Sequence, residues 1–230
     1  DILMGEGVYE DFSQAVHATY QPRLRAAATD IDKAVSMISE AKKPLFYCGG
    51  GVINSGPLAS KRLARLVKLT GAPITLTLMG LGAYPASDKQ FLGMLGMHGT
   101  YEANLAMHEA DLIVAVGARF DDRITGRLAD FAPNSKKIHV DIDPSSINKN
   151  VTVDLPVIGD IGCVLEQMLR VWKAKKLSTS QRALKTWWSQ IGGWQGIDCL
   201  KYKQQSDVIK PQYAIERLYE HTKDRDCYIT

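Results

Sequence analysis

The feature that most constrains the fold of this chain is a repeated alternation between short apolar runs and amphipathic segments. The runs are continuously apolar, which is typical of strands buried on both faces of a parallel sheet. They cover residues 45–48, 73–78, 112–116, 137–141 and 156–158. The segments between them carry apolar residues at helical spacing, as at Leu63, Leu66 and Val67. We therefore predict an α/β fold, a doubly wound, Rossmann-like parallel sheet of about five to six strands with helices on both faces.

The composition is that of an ordinary globular protein and argues against nucleic acid or a membrane as a partner. Of the 230 residues, 45% are hydrophobic and 23% are charged, as in ordinary globular proteins. A net charge of +3 is too small to indicate nucleic acid or a membrane as a partner. The four cysteines, at 48, 163, 199 and 227, lie far apart without a Cys-x-x-Cys pair, which favours reduced thiols and a cytoplasmic location.

The same patterns suggest how the chain is divided. Residues 1–28 are predicted to be an irregular lead-in, and Thr29 an N-cap with Asp32 in a capping box. The sheet domain is predicted to cover 29–174, followed by a linker at 175–210. Residues 211–230 would then start another domain, with a helix from Pro211 and an apolar strand at 226–230. Because the chain starts at Asp1 without an initiating Met, we interpret it as a piece of a longer protein.

Polar and glycine residues follow every predicted strand, where open α/β sheets bind their ligands. The strand ends are 49–51, 77–80, 117–123, 141–144 and 159–160. Glycines there could expose N–H groups to phosphate, and Arg119 and Arg123 could hold a pyrophosphate. Asp141, Asp143 and Asp160 could accept hydrogen bonds from ribose or ribityl hydroxyls and from adenine. Together these residues predict an extended nucleotide site.

Simpler interpretations of the same residues stay open. The run Gly49–Gly51 is equally typical of a turn, the loop 119–123 could be a solvated network of ion pairs, and Asp143 is better explained as a helix cap. The run also lacks the third glycine of the dinucleotide fingerprint, and no acid ends the second strand, which argues against an NAD dehydrogenase. His98 and the other histidines lack metal-ligand spacing, so no metal site is predicted.

Three strings in the chain are far more specific than a glycine motif. Residues 79–82 read MGLG, 94–99 read MLGMHG and 117–123 read GARFDDR. In this order and spacing they resemble the large, catalytic subunit of acetohydroxyacid (acetolactate) synthases, and HVDID at 139–143 continues the likeness. The resemblance covers essentially the whole chain.

The resemblance implies a thiamine-diphosphate-dependent transferase that condenses two pyruvates to 2-acetolactate, or pyruvate with 2-oxobutyrate, in valine, leucine and isoleucine biosynthesis. Thiamine diphosphate and Mg²⁺ would be bound by domains absent from this chain, and FAD by the middle domain at 29–174. The resemblance also implies a homo-oligomer, dimer or tetramer, with a small regulatory subunit and neither nucleic acid nor membrane as partner.

Carried over position by position, the resemblance implies a set of FAD contacts at the strand ends. They are Gly50, Gly51, Thr77, Leu78, Met97, His98, Gly99, Gly117, Ala118, Arg119, Asp121, Arg123, Ile124, Asp141, Ile142, Gly159 and Asp160. No catalytic residue is expected within the chain, although Arg123 could contact a substrate carboxylate. We therefore expect the chain to be inactive alone.

Two other interpretations of the sequence stay open. One is the middle domain of another thiamine-dependent carboligase or oxidase, such as glyoxylate carboligase or pyruvate oxidase. The other is a non-catalytic structural domain with an empty nucleotide site. Specific affinity for a flavin would separate the structural domain from the other two.

Overall fold

The structure is a computed structural model that describes residues 21–227. Strands and helices alternate along this part of the chain. The strands are β1 (Pro44–Cys48), β2 (Ile74–Leu76), β3 (Phe91–Met94), β4 (Leu112–Val116), β5 (Lys136–Asp141) and β6 (Leu155–Ile158). The helices are α1 (Ala28–Glu40), α2 (Gly50–Asn54), α3 (Pro57–Thr70), α4 (Tyr101–Glu109), α5 (Asp122–Thr125), α6 (Ile161–Ala174), α7 (Gln181–Gln195) and α8 (Pro211–Thr222).

The six strands form one parallel sheet in the order β3-β2-β1-β4-β5-β6. The chain builds outward from β1 to β3 on one side and then from β4 to β6 on the other, so the direction of winding reverses between β1 and β4. These two strands pair along their whole length, from Pro44 opposite Leu112 to Cys48 opposite Val116. The predicted doubly wound parallel sheet is confirmed.

Each face of the sheet is covered by its own apolar core. On one face, Phe46 and Cys48 of β1 pack in a cluster with buried residues of α1, α3 and α6. On the other, Leu45 and Tyr47 pack with buried residues of α4 and α7. Successive residues of a strand face opposite sides, so the continuous apolar runs follow directly from burial on both faces.

Two local predictions differ from the structure. The edge strand β3 lies in a Gly- and Met-rich stretch that carries no continuous apolar run, and its Gly93 has a φ of +94°. This strand is only half-buried, so it lacks the signal that identified the others. Helix α1 begins at Ala28 rather than after Thr29, and its N-cap, Ala27, makes no side-chain hydrogen bond. Thr29 lies instead within the first turn.

Helix α7 lies within the segment 175–210 that was predicted to be a linker. Its residues Leu184, Trp187 and Ile191 are buried. The indole Nε1 of Trp187 donates to the carbonyl oxygen of Pro44 at 3.1 Å, which joins the helix to the start of β1. Without α7, the second face of the sheet would be covered mainly by α4. The need to bury this apolar face explains why the segment folds onto the sheet as a helix.

The end of the chain is less embedded. Helix α8 starts at Pro211 as predicted, and none of its residues is buried. Residues 1–20 of the predicted lead-in and residues 228–230 of the predicted strand lie outside the described residues. Every helix within residues 21–227 is too short or too polar to cross a membrane.

We expect Trp187→Ala to lower the free energy of unfolding by about 3–5 kcal/mol, the usual cost of removing a fully packed indole from a core. The side chain is 1% exposed, and its indole also loses a hydrogen bond. Urea denaturation followed by circular dichroism measures the change. Lys185→Ala, at an exposed position of the same helix, is the matched control. A loss at Trp187 no larger than that of the control would show that α7 is not part of the core.

Candidate functional site

The candidate site lies along the carboxyl edge of the sheet, where the loops after β1, β2, β4, β5 and β6 meet solvent. Because all six strands are parallel, their carboxyl ends share this edge. The predicted residues follow these ends or lie in the loop after β3. Among them, the side chains of Leu78, Met97, His98, Arg119, Arg123 and Ile142 are exposed, whereas Ala118 and Gly159 are buried. The remaining predicted residues are partly buried.

The glycines after β1 and β4 bring two loops into backbone contact. Gly51 N donates to the carbonyl oxygen of Gly117 at 3.0 Å, and Gly49 N donates to that of Val116 at 3.0 Å. A Cβ placed on Gly49 would lie 2.5 Å from the Gly117 oxygen, closer than real atoms approach. Gly117 also has a φ of +57°, which favours glycine. These glycines are therefore required by loop packing, independently of any ligand.

The loop that carries Arg119 is fixed by two side chains that the sequence did not single out. The Tyr47 hydroxyl donates to the carbonyl oxygen of Arg119 at 2.7 Å. Asn150 Nδ2 donates to that of Phe120, also at 2.7 Å. Burial, and then the nearby Asp121 carboxylate, raises the pKa of Tyr47 well above its ordinary range, so the phenol keeps its proton. The loop backbone is held in place, whereas the side chain of Arg119 is exposed.

Arg119 is the cation best placed to meet an anionic ligand. Its side chain is 71% exposed and, within residues 21–227, forms one ion pair, with Asp121 at 3.4 Å. Next to it lies a small pocket of about 110 Å³. The pocket is lined by Arg119, Phe120, Asp121, Ser146, Lys149, Asn150 and Val151. Two cations and an amide at one mouth can bind a phosphate or another anion.

A second pair of loops brings Met97 next to Arg123. Met97 N donates to the carbonyl oxygen of Arg123 at 3.3 Å. The turn before Met97 is clamped by Asn104, whose amide accepts from Gly96 N at 2.9 Å and donates to Gly96 O at 3.0 Å. Because one side-chain amide bonds both the N–H and the carbonyl group of Gly96, it fixes this turn. Two strings that are far apart in sequence, 94–99 and 117–123, therefore form one surface.

Exposed apolar side chains lie along the same edge. Leu78, Met79 and Met97 are 68%, 76% and 64% exposed. The 3-10 turn that carries Leu78 and Met79 is capped by Thr77, whose hydroxyl accepts from Gly80 N at 3.1 Å. Large exposed apolar side chains beside charged groups are typical of a surface that binds an amphipathic ligand or another protein surface.

The three acids after β5 and β6 have different local roles. Asp143 caps the next turn by accepting from Ser145 N at 2.9 Å, as its sequence context favoured. Asp160 accepts from Cys163 N at 2.9 Å and from the Ser55 hydroxyl at 2.6 Å, so it caps α6 and ties it to the end of α2. Among the hydrogen bonds of the described residues, the carboxylate of Asp141 accepts only from Asp143 N, at 2.9 Å.

The electrostatics of Asp160 reflect this capping role. Burial raises the pKa of its carboxyl, but the hydrogen bonds from Ser55 and from the N–H groups at the start of α6 outweigh burial and lower the pKa overall. The carboxylate is therefore stabilised in its charged form without a ligand. Asp160 stays a predicted contact, with both oxygens already bonded. Within residues 21–227, no group of three or more His, Cys, Asp or Glu could hold a metal ion.

Comparison with known proteins gives a family and a set of relatives. The model of the family described as "Thiamine pyrophosphate enzyme, central domain" matches residues 31–168. The chain is 47% identical over 212 residues to the acetolactate synthase isozyme 3 large subunit of Escherichia coli, covering 92% of this chain and 36% of that protein. It is 47% identical over 205 residues to the acetolactate synthase large subunit of Haemophilus influenzae, covering 89% and 35%. It is 39% identical over 222 residues to the acetolactate synthase of Mycobacterium bovis, covering 96% and 35%. The chain thus spans about a third of the length of these relatives.

We expect Gly49→Ala to destabilise the fold by about 1–3 kcal/mol or more, because the added Cβ would force the loops after β1 and β4 apart. Gly192→Ala is the matched control, since a Cβ at that position of α7 meets nothing within 4 Å. Replacing glycine by alanine inside a helix should raise stability there by about 0.5–1 kcal/mol. Denaturant unfolding of both variants measures the difference. Equal effects would show that the two loops are not in contact.

Proposed function

The chain belongs to the family of thiamine pyrophosphate enzyme central domains, and we propose that it is the FAD-binding middle segment of an acetolactate synthase large subunit. The observation that carries the proposal is the carboxyl edge of the sheet. At this edge lie the exposed Arg119, the glycines 49–51 at the start of α2, and Asp141 at the end of β5, whose side chain is 13% exposed. Such an edge can hold an extended dinucleotide.

The reaction is proposed for the whole protein. Identities of 39–47% to acetolactate synthases, over 89–96% of this chain, support the condensation of two pyruvates to 2-acetolactate, or of pyruvate with 2-oxobutyrate. This step would serve the biosynthesis of valine, leucine and isoleucine. Thiamine diphosphate with Mg²⁺, bound by other parts of the protein, would supply the carbanion chemistry.

The residues of the edge fit FAD in chemical type. Arg119, whose ion-pair partner Asp121 is itself 42% exposed, can turn its guanidinium to a pyrophosphate. Asp141 can accept from a ribose or ribityl hydroxyl, because its carboxylate oxygens have unused lone pairs. Leu78 and Met97 offer apolar surface to an aromatic ring system. FAD would have no net redox role in the condensation.

The acids at this edge also indicate how the ligand would lie. β2 is followed by Thr77 and Leu78, without the acid that a standard NAD site places there. Asp141, the last residue of β5, and Asp160, after β6, lie instead on the other half of the sheet. We propose that the hydroxyl-bearing part of the ligand is held on this half, and that Arg123, which is exposed beside Met97, contacts a substrate carboxylate in the whole protein.

The proposal extends to the assembly. We propose that the whole protein is a cytoplasmic homo-oligomer, dimer or tetramer, with a small regulatory subunit. The names of two relatives, which call them large subunits, support a separate smaller subunit. The wide separation of the four cysteines supports the cytoplasmic location.

A structural domain with an empty nucleotide site is the second candidate. It is favoured by the internal bonds of Asp160 and by the packing of Gly49 against Gly117, which account for these residues without a ligand. In that case the exposed side chain of Arg119 would have no role. Flavin affinity therefore separates the two functions.

We expect the chain to bind FAD saturably, and Arg119→Ala to weaken that binding by about tenfold, the effect of losing one charge-assisted contact to a pyrophosphate. Titration of FAD fluorescence measures the dissociation constants. Arg170→Ala is the matched control, because Arg170 is 66% exposed and pairs with Glu166 on α6, nine residues beyond the Ile161 start of the helix. Equal weakening by both substitutions, or no FAD binding at all, would favour the structural domain.

We expect the purified chain to form no acetolactate from pyruvate when thiamine diphosphate, Mg²⁺ and FAD are supplied. A chimera in which this chain replaces the aligned segment of the Escherichia coli relative should form acetolactate, because 47% identity over 212 residues preserves the segment's contacts. Colorimetric detection of acetolactate measures both. Turnover by the chain alone would contradict the expectation. A folded chimera that binds thiamine diphosphate but makes no product would contradict the proposed reaction.

A further inference from the structure

His139 is a buried polar side chain whose hydrogen bonds the structure leaves open. The residue is 0% exposed, and neither Nδ1 nor Nε2 has a hydrogen-bond partner among the described residues. A buried polar group without a partner has lost its hydrogen bonds to water without forming replacements in the protein, which destabilises the fold. Such a group at a strand end next to a ligand site calls for a specific explanation.

The surroundings of the ring offer little that could accept its proton. His139 lies on β5 between Ala115 of β4 and Pro156 of β6. Its ring meets Phe120 edge to face, with centroids 5.3 Å apart and planes at 79°. The carboxylate recorded within 4 Å of a ring nitrogen is that of Asp141, whose Oδ2 lies 3.6 Å from Nε2. A shift of a few tenths of an ångström would make this contact a hydrogen bond.

Asp141 lies two residues further along β5, so both side chains are on the same face of the strand. Its side chain is 13% exposed, against 1% for His139. Oδ1 already accepts from Asp143 N at 2.9 Å. The carboxylate therefore stands at the boundary between the apolar core and the carboxyl edge, with the imidazole on its inner side and solvent access on its outer side.

We propose that His139 is a positioning residue for Asp141. In the Nε2–H tautomer the imidazole donates to Asp141 Oδ2, while Asp143 N holds Oδ1, so both oxygens are fixed and keep a lone pair for a ligand hydroxyl. A carboxylate that hydrogen bonds within the protein already hold in place loses little conformational entropy when the ligand binds. The role in binding rests on the proposed FAD function, whereas the His139–Asp141 hydrogen bond does not.

The hydrogen bond is tested first in the chain without flavin. Long-range proton–nitrogen NMR of the imidazoles should show His139 as the Nε2–H tautomer, with a hydrogen-bonded proton signal that disappears in Asp141→Ala. An Nδ1–H tautomer, or a signal unchanged in that variant, would overturn the proposal. The result does not depend on ligand affinity. If the signal is present and FAD does not bind, the proposed function fails and the pairing stands.

The positioning role is tested by a double-mutant cycle on FAD affinity. We expect His139→Leu to weaken binding by about tenfold, and His139→Gln, which keeps an N–H donor at similar reach, to stay within about threefold of the wild type. In the Asp141→Ala background, His139→Leu should cause no further loss, because its effect runs through the missing carboxylate. Losses that multiply, or a Gln variant as weak as the Leu variant, would show that His139 only fills the core. Circular dichroism confirms that each variant is folded.

Discussion

The parallel pairing of β1 with β4, continued by backbone contact between the loops that follow them, is the constraint on which the rest of the site depends. The pairing runs from Pro44–Leu112 to Cys48–Val116, and beyond it Gly51 N donates to Gly117 O at 3.0 Å. The direction of winding reverses between β1 and β4, so the loops after β2 and after β5 lie on opposite sides of this junction. The two halves of the carboxyl edge therefore meet at this junction, where packing leaves no room for a side chain at Gly49.

Much of this arrangement could be predicted from the sequence because it depends on local patterns. Continuous apolar runs identify strands that are buried on both faces, and the strand order then collects their polar ends at one edge. The edge strand β3 and the core helix α7 were missed, since a half-buried strand carries a weak signal and a Trp-rich helix after a polar stretch resembles a linker. The supports of the site could not be predicted either. Tyr47 bonds a carbonyl 72 residues away, and Ser55 bonds a carboxylate 105 residues away.

Asp141 and Asp160 show why residue type at a strand end does not settle its role. Both follow neighbouring parallel strands, and in the sequence each is simply an acid after an apolar run. In the structure Asp160 is fully engaged by the start of α6 and by Ser55, whereas Asp141 has one backbone donor and a buried imidazole beside it. The difference comes from what packs behind each carboxylate, which depends on the order of the strands and the direction of the next helix.

The position of α7 separates two kinds of boundary in this protein. The family match ends at residue 168, within α6, yet Trp187 and Ile191 of α7 complete the core on the second face of the sheet. The segment matched by the family model is therefore shorter than the segment that packs into one core. A piece cut at the end of the family match would retain all six strands and every residue of the candidate site. It would, however, leave the apolar second face of the sheet uncovered, and we expect such a piece to aggregate.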